Sequence, residues 1–296
     1  MKKFIKIMCA VMAVAMMATV FASCGDKKET KDDAKDNSKD TAAVKVIDIK
    51  LTDEEYAFGV DKDKPELLKQ VNDFIKEIKE NGKFDEICDH FFGDGTPVEV
   101  ESAKEDSSKD QLVVATNAAF EPFEYTKGDK YLGIDMEIAK LLADKLGKEL
   151  VINNMKFESV CTSVGQHKCD IAMAGLTVNE ERQEFVTFSD SYYNASQKIV
   201  VKGDDTTFDN CKTKEDVEKI LNGFDKTTKI GVQNGTTGQY YLTGDKSWGF
   251  DGFKVECVGY DSGSLAMQDM INGNINYVVL DEAPANSIST ALNEMN

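Results

Sequence analysis

The segment Ile171–Tyr193 reads IAMAGLTVNEERQEFVTFSDSYY, and its residues are the most informative in the chain. Its apolar start predicts a strand, which Gly175, Thr177 and Arg182 follow at close spacing. A guanidinium pairs with a carboxylate through two parallel hydrogen bonds, threonine adds a hydroxyl, and glycine lets a ligand approach the backbone. Together these residue types can hold a carboxylate. Alternatively, Arg182 is a solvated helix charge among neighbouring glutamates.

Around this segment, short β-rich runs alternate with amphipathic stretches from residue 44 onward. Such alternation is the signature of an α/β protein. The run PELLKQVNDFIKEIKENG at 65–82 predicts a helix, because its apolar residues share one face, Pro65 suits the first turn and Gly82 suits the end. A region of about 250 residues is long enough for two lobes of ordinary size.

Four other motifs extend the pattern: ATNAAFEPFEY at 115–125, GIDMEIAKLLADKLGKELV at 133–151, VQNGTTGQYY at 232–241 and INYVVLDEAPA at 275–285. With the opening segment, they closely resemble family 3 of the bacterial extracellular solute-binding proteins, the polar amino-acid receptors of ABC importers. The resemblance covers essentially all of residues 45–296. It implies a periplasmic-binding-protein-like type II fold, in which two hinge strands join two α/β lobes and the ligand lies in the cleft.

The order of the motifs differs from that of the family. Residues 56–93, YAFGVDKDKPELLKQVNDFIKEIKENGKFDEICDHFFG, resemble the segment that ends the family's chain, yet here they come first. This order implies a circular permutation, with the polar residues 94–110 as the linker. Such a linker spans about 20 to 25 Å, and permutation is tolerated where the original termini lie close together at the surface. A mis-assembled gene is an alternative.

Permutation implies hinge crossings near residues 56–59 and 190–196. Lobe 1 is then expected at 57–191, with the linker inside it, and lobe 2 at 45–56 and 195–296. Residues 45–93 could instead complete a neighbouring molecule. We expect self-completion and a monomer, because a flexible intramolecular linker gives an effective concentration near the millimolar range.

The resemblance also implies a ligand-binding set drawn from both lobes. Its members are Asn117, Phe120, Phe157, Gly175, Thr177, Arg182, Gln233, Thr236, Thr237 and Asp281. The lobe 1 trio introduced above is implied to hold the α-carboxylate, with Thr237 and its neighbour Thr236 completing this clamp from lobe 2. Asp281 is implied to pair with the α-ammonium. A glycine-rich turn is also a common structural device, and Asp281 could simply begin a helix.

The ligand side chain would lie between Phe120 and Phe157, although either ring could belong to the core instead. Asn117 matches a position that is often aspartate in receptors for basic amino acids. An amide neither repels a neutral polar ligand nor pairs with a cation. The sequence therefore favours a neutral amino acid such as glutamine, with Gln233 as a further polar contact.

The N-terminus predicts export. Three lysines precede the apolar run IMCAVMAVAMMATVF, and small residues stand just before Cys24, so residues 1–23 fit a signal peptide. This arrangement resembles a bacterial lipobox and implies that Cys24 carries a lipid; an ordinary secretory signal is the alternative. Residues 24–44 predict a disordered tether. We expect a protein anchored to the outer face of the cell membrane.

Composition excludes several classes of function. The formal net charge is −18 and basic clusters are absent from the sequence, which argues against a nucleic-acid-binding protein and a lipid-surface helix. No Cys-x-x-Cys spacing occurs, so a zinc site is not expected. Cys161 and Cys169 could form a disulfide, but small buried residues are the preferred interpretation.

The expected function is that of a receptor that delivers an amino acid to the permease of an ABC importer, without a cofactor or a metal. We do not expect an enzyme. A dehydratase on the same fold would require a general acid, for which Asp281, Glu158 and Glu124 are the available residues. A sensing lobe for a membrane signalling partner is a further alternative with the same cleft residues.

Overall fold

The computed structural model describes residues 42–295. The expected signal peptide, Cys24 and most of the expected tether therefore lie outside the described residues. Between residues 42 and 295, none of the helices combines the length and the apolar character needed to cross a membrane.

Regular elements fill most of this region. Its strands are β1 (Val44–Ile47), β2 (Glu54–Tyr56), β3 (Gly59–Asp61), β4 (Gln111–Thr116), β5 (Ala119–Phe120), β6 (Glu124–Lys127), β7 (Lys130–Leu132), β8 (Glu149–Asn154), β9 (Ile171–Ala172), β10 (Val186–Phe188), β11 (Tyr193–Ala195), β12 (Gln197–Lys202), β13 (Lys229–Gln233), β14 (Glu256–Tyr260) and β15 (Tyr277–Asp281). Its helices are α1 (Pro65–Glu80), α2 (Lys83–Phe92), α3 (Ile134–Leu146), α4 (Val160–Gly165), α5 (Glu180–Gln183), α6 (Lys214–Leu221), α7 (Thr237–Thr243), α8 (Gly263–Ile271) and α9 (Glu282–Glu294).

Two five-stranded sheets form the centres of two lobes. The sheet of lobe 1 has the order β10-β3-β9-β4-β8, and the sheet of lobe 2 has the order β1-β12-β15-β13-β14. In lobe 1, β4 runs parallel to β8 and β9; in lobe 2, β13 runs parallel to β14 and β15. The chain passes between the sheets twice, through β2 and through β11, and these two strands pair antiparallel. This ribbon is the hinge of the two-lobed α/β fold.

The N-terminal segment contributes to both lobes. β1 pairs with β12 in lobe 2, whereas β3 pairs with β9 and β10 in lobe 1. β1 begins at Val44, one residue inside the expected tether, and the Val44 side chain is buried. The Val44 N–H donates to Asn293 Oδ1 (3.1 Å), and Asn293 Nδ2 donates to the Val44 carbonyl (3.0 Å). The start of this segment therefore lies beside the end of α9.

The helix predicted over residues 65–82 forms as α1, with Pro65 at its first position. Its buried side chains share one helical face and are Leu67, Val71, Phe74, Ile75 and Ile78. Gly82 lies just beyond the helix with a φ of 79°, in the left-handed region that glycine adopts without steric cost, and α2 begins directly after it.

The linker at 94–110 was expected to be flexible, but in the structure it packs against lobe 1. Its backbone forms no helix or strand of its own, yet Val100 is 1% exposed and pairs with Tyr131 in an isolated β-bridge. The Ala103 N–H donates to the Leu150 carbonyl (2.8 Å), and Ser102 Oγ accepts from the Ile152 N–H (2.8 Å). The linker is therefore fixed along lobe 1 by one buried apolar side chain and by several hydrogen bonds.

Cys161 and Cys169 are separate buried thiols, as the preferred interpretation predicted. Cys161 packs with Val160 and Val164 under one face of the lobe 1 sheet. Burial raises the pKa of the Cys161 thiol, so it behaves as a small apolar side chain.

Candidate functional site

The turn from β9 into α5 presents the residues of the opening motif. Gly175 has a φ of 53°, and a β-carbon built there would lie 2.9 Å from the Phe120 ring, so glycine is required on both counts. Asn179 begins α5 by accepting the Arg182 N–H on its side-chain oxygen (2.8 Å). This cap fixes the direction in which α5 leaves the strand, and Arg182 is 8% exposed.

The Arg182 guanidinium spans the two lobes. Nη1 donates to the Thr177 carbonyl in lobe 1 (2.8 Å), and Nη2 donates to the Gly235 carbonyl in lobe 2 (3.1 Å). The guanidinium carbon lies 5.1 Å from the centre of the Phe157 ring. In the described part of the chain, no carboxylate forms an ion pair with this guanidinium. The alternative of a solvated helix charge is wrong, because the side chain is buried.

Arg182 is also the only arginine in the sequence. All other permanently charged basic side chains are lysines, which lack the planar fork that a carboxylate can meet with two hydrogen bonds. This unequal use of the two residue types is a sequence signal that singles out Arg182 without reference to any motif.

Threonines from both lobes meet at a buried carboxylate. Glu54, on the hinge strand β2, accepts from Thr177 Oγ1 (2.6 Å) and Thr237 Oγ1 (2.7 Å) on its Oε2 atom. Its Oε1 atom accepts from Thr52 Oγ1 (2.5 Å) and Gln197 Nε2 (3.0 Å). The sequence prediction missed Glu54, because it lies in a polar run with no periodicity that reveals its burial.

Asp281 ends β15 and is 4% exposed. Its Oδ1 atom accepts from the Tyr56 hydroxyl (2.5 Å), so the hinge strand contacts this carboxylate too. Burial and then the charge of Glu54 raise the pKa of Asp281 to about 7. Asp281 does precede α9, but its side chain makes no capping hydrogen bond to that helix.

The amides predicted to contact the ligand bond to each other across the cleft. Gln233 Nε2, at the end of β13 in lobe 2, donates to Asn117 Oδ1 (3.0 Å) in lobe 1. Asn117 Nδ2 donates to the Met155 carbonyl (2.7 Å), and Thr236 Oγ1 donates to the Gln233 carbonyl (2.8 Å). The buried Gln233 Oε1 atom has no partner among the described residues.

Two more carboxyl groups are buried behind this cleft. Asp135, on α3, accepts from the Gly175 N–H (2.9 Å) and the Tyr192 hydroxyl (2.7 Å), and burial raises its pKa to about 7. Glu124 is fully buried, and neither of its carboxylate oxygens has a hydrogen-bond partner within residues 42–295. Burial and then the charges of Asp135 and Asp281 hold the pKa of Glu124 well above its usual range.

Most of the predicted residues therefore lie along one seam between the lobes. Phe120 instead packs in the hydrophobic core, where it stacks on Phe123 with 6.0 Å between ring centres. Two cavities lie on this seam: one of about 360 Å³, lined by Asn117, Phe157 and Tyr260 among others, and one of about 200 Å³, lined by Phe157, Arg182 and Tyr240 among others. A larger cavity of about 640 Å³ lies between α2 and α9 and is lined by none of the predicted ligand-binding residues.

Comparison with known proteins agrees with this architecture. Residues 112–261 match the family model for bacterial extracellular solute-binding proteins, family 3. The chain is 41% identical over 99 residues to the arginine-binding extracellular protein ArtP of Bacillus subtilis, covering 33% of this chain and 39% of ArtP. It is 30% identical over 181 residues to the ABC transporter arginine-binding protein 1 of Escherichia coli, covering 61% of this chain and 67% of that protein.

Solved structures give a similar result. Holo ArgBP from T. maritima aligns with a TM-score of 0.51 and 35% identity, over 62% of this chain and 74% of that chain. The ancestral amino acid-binding protein AncCDT-1, described as a precursor of cyclohexadienyl dehydratase, aligns with a TM-score of 0.52 and 30% identity, over 62% of this chain and 74% of that chain. The chain matches less than two thirds of the length of several curated relatives, 39% in the case of ArtP. The curated relatives are named as binding proteins, in agreement with the expectation that this protein is not an enzyme.

Proposed function

Because the chain belongs to family 3 of the bacterial extracellular solute-binding proteins, we propose that it is an extracytoplasmic receptor that binds a free amino acid between its lobes. In this proposal, it delivers the amino acid to the permease of an ABC importer. The observation that carries the proposal is the presence of one buried guanidinium, unpaired with any carboxylate among the described residues, and of separate buried carboxyl groups along the same interlobe seam.

A zwitterion matches these charges. Among residues 42–295, the Arg182 guanidinium bonds only to carbonyl oxygens. A ligand carboxylate would replace these neutral acceptors by an ionised one, and such hydrogen bonds are roughly twice as strong. Thr177 and Thr237 meet beside it, with their hydroxyl oxygens 3.3 Å apart. Asp281 would receive the α-ammonium in place of the Tyr56 hydroxyl. Each charged group of the ligand would then contact a protein group of opposite charge.

For the side chain of the ligand, we propose a basic amino acid. The Glu124 carboxyl group has neither a hydrogen bond nor a cation among the described residues, and burial holds its pKa well above its usual range, which favours the uncharged form. A cationic ligand side chain beside Glu124 would favour the ionised form and pair with it. Several relatives are named as arginine-binding proteins, which supports the same choice. This proposal departs from the glutamine-like ligand favoured by Asn117 alone, and the glutamine-like ligand stays as the competing prediction.

The test is a thermal-shift screen of the twenty amino acids and ornithine, followed by calorimetry on each ligand that raises the melting temperature. Arginine, lysine or ornithine should give the largest shift. A larger shift with glutamine would overturn the basic-ligand proposal, and the absence of any shift would overturn the amino-acid receptor itself.

Glu124→Gln separates the two ligand classes. It should weaken arginine binding by about 100-fold, because a buried cation would lose its counter-charge, while leaving glutamine binding unchanged. Glu121→Gln is the matched control, since it makes the same chemical change at an exposed position nearby. Equal arginine affinity in Glu124→Gln and Glu121→Gln would refute the role of Glu124.

We also propose that the protein is exported and anchored through a lipid on Cys24. In the native host, Cys24→Ser should move the protein from the membrane fraction to the soluble extracytoplasmic fraction. A variant that remains with the membrane would show that Cys24 is not the attachment point.

A further inference from the structure

The turn between α7 and β14 carries Trp248, the only tryptophan in the sequence. Asp245 and Phe250 pair antiparallel across this turn, with each N–H donating to the other carbonyl at 2.9 Å. The Asp245 carboxylate accepts from the Ser247 N–H (2.8 Å) and hydroxyl (2.6 Å). These bonds define the path of the turn and place Trp248 near its tip.

The Trp248 ring lies over the only arginine. The guanidinium carbon of Arg182 is 5.4 Å from the indole centre, about as close as it is to Phe157. Tyr240, on α7, stacks on the indole at 5.0 Å between ring centres and 21° between planes. Arg182 and Phe157 belong to lobe 1, whereas Trp248 and Tyr240 belong to lobe 2, so the guanidinium is covered by rings from both lobes.

This cover matters for the chemistry of Arg182. An aromatic face attracts a cation and excludes water from it, and an electrostatic bond to a carboxylate is stronger where water is excluded. A guanidinium retains its N–H donors in its plane while rings cover its faces, whereas an ammonium cannot separate the two functions in this way. The indole Nε1 atom is buried without a partner in the described region, so Trp248 contributes through its ring and not through a hydrogen bond.

We propose that Trp248 is a lid residue: it closes on Arg182 when the lobes meet, holds the guanidinium in position and slows release of the bound carboxylate. This inference rests on the proposed receptor function. Because the contact joins the two lobes, it must break when they separate. Trp248 is a positioning residue for Arg182.

The experiment uses the mature protein with Cys24→Ser, which removes the proposed lipid site, and radiolabelled arginine. Affinity is measured by equilibrium dialysis and release by a chase with unlabelled arginine. Trp248→Leu should weaken affinity and speed release by about tenfold, because the loss of one desolvated cation–π contact is of this size. Trp248→Phe retains an aromatic face and should restore most of the affinity. Phe253→Leu is the matched control, because Phe253 lies in the same segment between α7 and β14 and packs on Tyr241, with no ring contact to Trp248 among the described residues.

The wild-type protein supplies an independent measurement. Since Trp248 is the only tryptophan, quenching of its fluorescence by acrylamide reports on one ring. Saturating arginine should reduce this quenching, and the reduction should be absent in Arg182→Ala.

Three outcomes would overturn the inference: wild-type affinity and release in a folded Trp248→Leu, equal losses in Phe253→Leu and Trp248→Leu, or quenching that arginine leaves unchanged. In each of these cases, arginine binding by the wild type would leave the receptor proposal standing. A wild type that binds no amino acid would instead overturn the receptor function and, with it, the lid.

Discussion

In the proposed receptor, Arg182 is the residue on which ligand binding would depend most directly. It is buried, its donors reach carbonyls of both lobes, and the sequence contains no other arginine. In the proposed complex, its removal would leave a ligand carboxylate buried without a cation.

Arg182→Ala is therefore expected to abolish amino-acid binding while the protein remains folded. Removing one partner of a buried charge pair costs about 3 to 5 kcal/mol, which corresponds to more than a 100-fold loss of affinity. Calorimetry measures the affinity, and the thermal unfolding transition checks the fold. Arg182→Lys is the control, because it keeps the charge and removes the planar fork. Wild-type affinity in the alanine variant would refute the assignment.

We expect ligand binding and stability to depend on pH through Asp281. Its pKa is raised by burial to about 7, against about 3.9 in an unfolded chain. The folded protein therefore binds a proton more tightly than the unfolded protein does. The stabilising contribution is complete below about pH 4 and is lost as the pH rises to about 7.

We expect the melting temperature of ligand-free Asp281→Asn, measured relative to that of the wild type, to increase as the pH is raised from 4 to 7. An unchanged difference between the two proteins over this range would contradict the raised pKa. The wild type should also bind arginine more weakly below pH 7, by up to about tenfold per pH unit, because the α-ammonium requires the ionised form of Asp281.

The sequence motifs contain many of the residues that lie along the interlobe seam but not all of them. Arg182, Thr237 and Asp281 stand in motifs next to the ends of strands, and strand ends of an α/β sheet meet at one edge. Glu54 and Trp248 stand in polar turns and short strands, where neither periodicity nor spacing indicates burial. Their positions depend on how the two lobes meet, and local sequence does not encode that arrangement.

At the level of secondary structure, one carboxylate on the hinge ribbon forms hydrogen bonds to both lobes. Glu54 accepts from hydroxyls of both lobes, whereas its neighbour Glu55 is exposed on the same strand. Four hydrogen bonds converge on Glu54, and each hydrogen bond to a charged group contributes about 1.5 to 3 kcal/mol when it is formed.

Glu54→Ala should lower the free energy of unfolding by several kcal/mol and weaken ligand binding, because Thr177 and Thr237 lose their common acceptor. Chemical denaturation and calorimetry measure the two effects. Glu55→Ala removes an exposed carboxylate from the same strand and should change neither. Equal effects of Glu54→Ala and Glu55→Ala would argue against a specific role for the buried carboxylate.

The path of the linker at 94–110 could not be predicted from the sequence. Helix α1 was predictable because five apolar side chains recur at helical spacing. Val100 is a single buried residue in a charged run, and one residue forms no pattern. Short range signals therefore located the regular elements but not the path of the chain between them.

At the scale of the whole molecule, we propose that the chain is a circular permutant. Residues 44–93 supply strands to both lobes, and the backbone of Val44 bonds to the side chain of Asn293 near the end of α9. Two chain segments that would be consecutive in the family's order therefore lie side by side.

A rearranged variant tests this proposal. Joining residue 295 to residue 44 through a short glycine-serine connection, and opening the chain within 94–110, should give a protein with the same ligand affinity and a similar melting temperature. Deleting residues 44–93 should leave an insoluble remnant, because both sheets lose strands. A folded, ligand-competent deletion variant would contradict the assigned role of this segment.

The presence of a single guanidinium also has a practical consequence. Dicarbonyl reagents modify guanidinium groups and largely spare amines, so such a reagent has one target in this lysine-rich polypeptide. Since that target is 8% exposed with the lobes together, its labelling rate measures how often the cleft opens. Mass spectrometry would detect one added reagent per molecule, and bound amino acid should slow this addition. The labelling rate would then report the rate of cleft opening in the proposed receptor without an engineered probe.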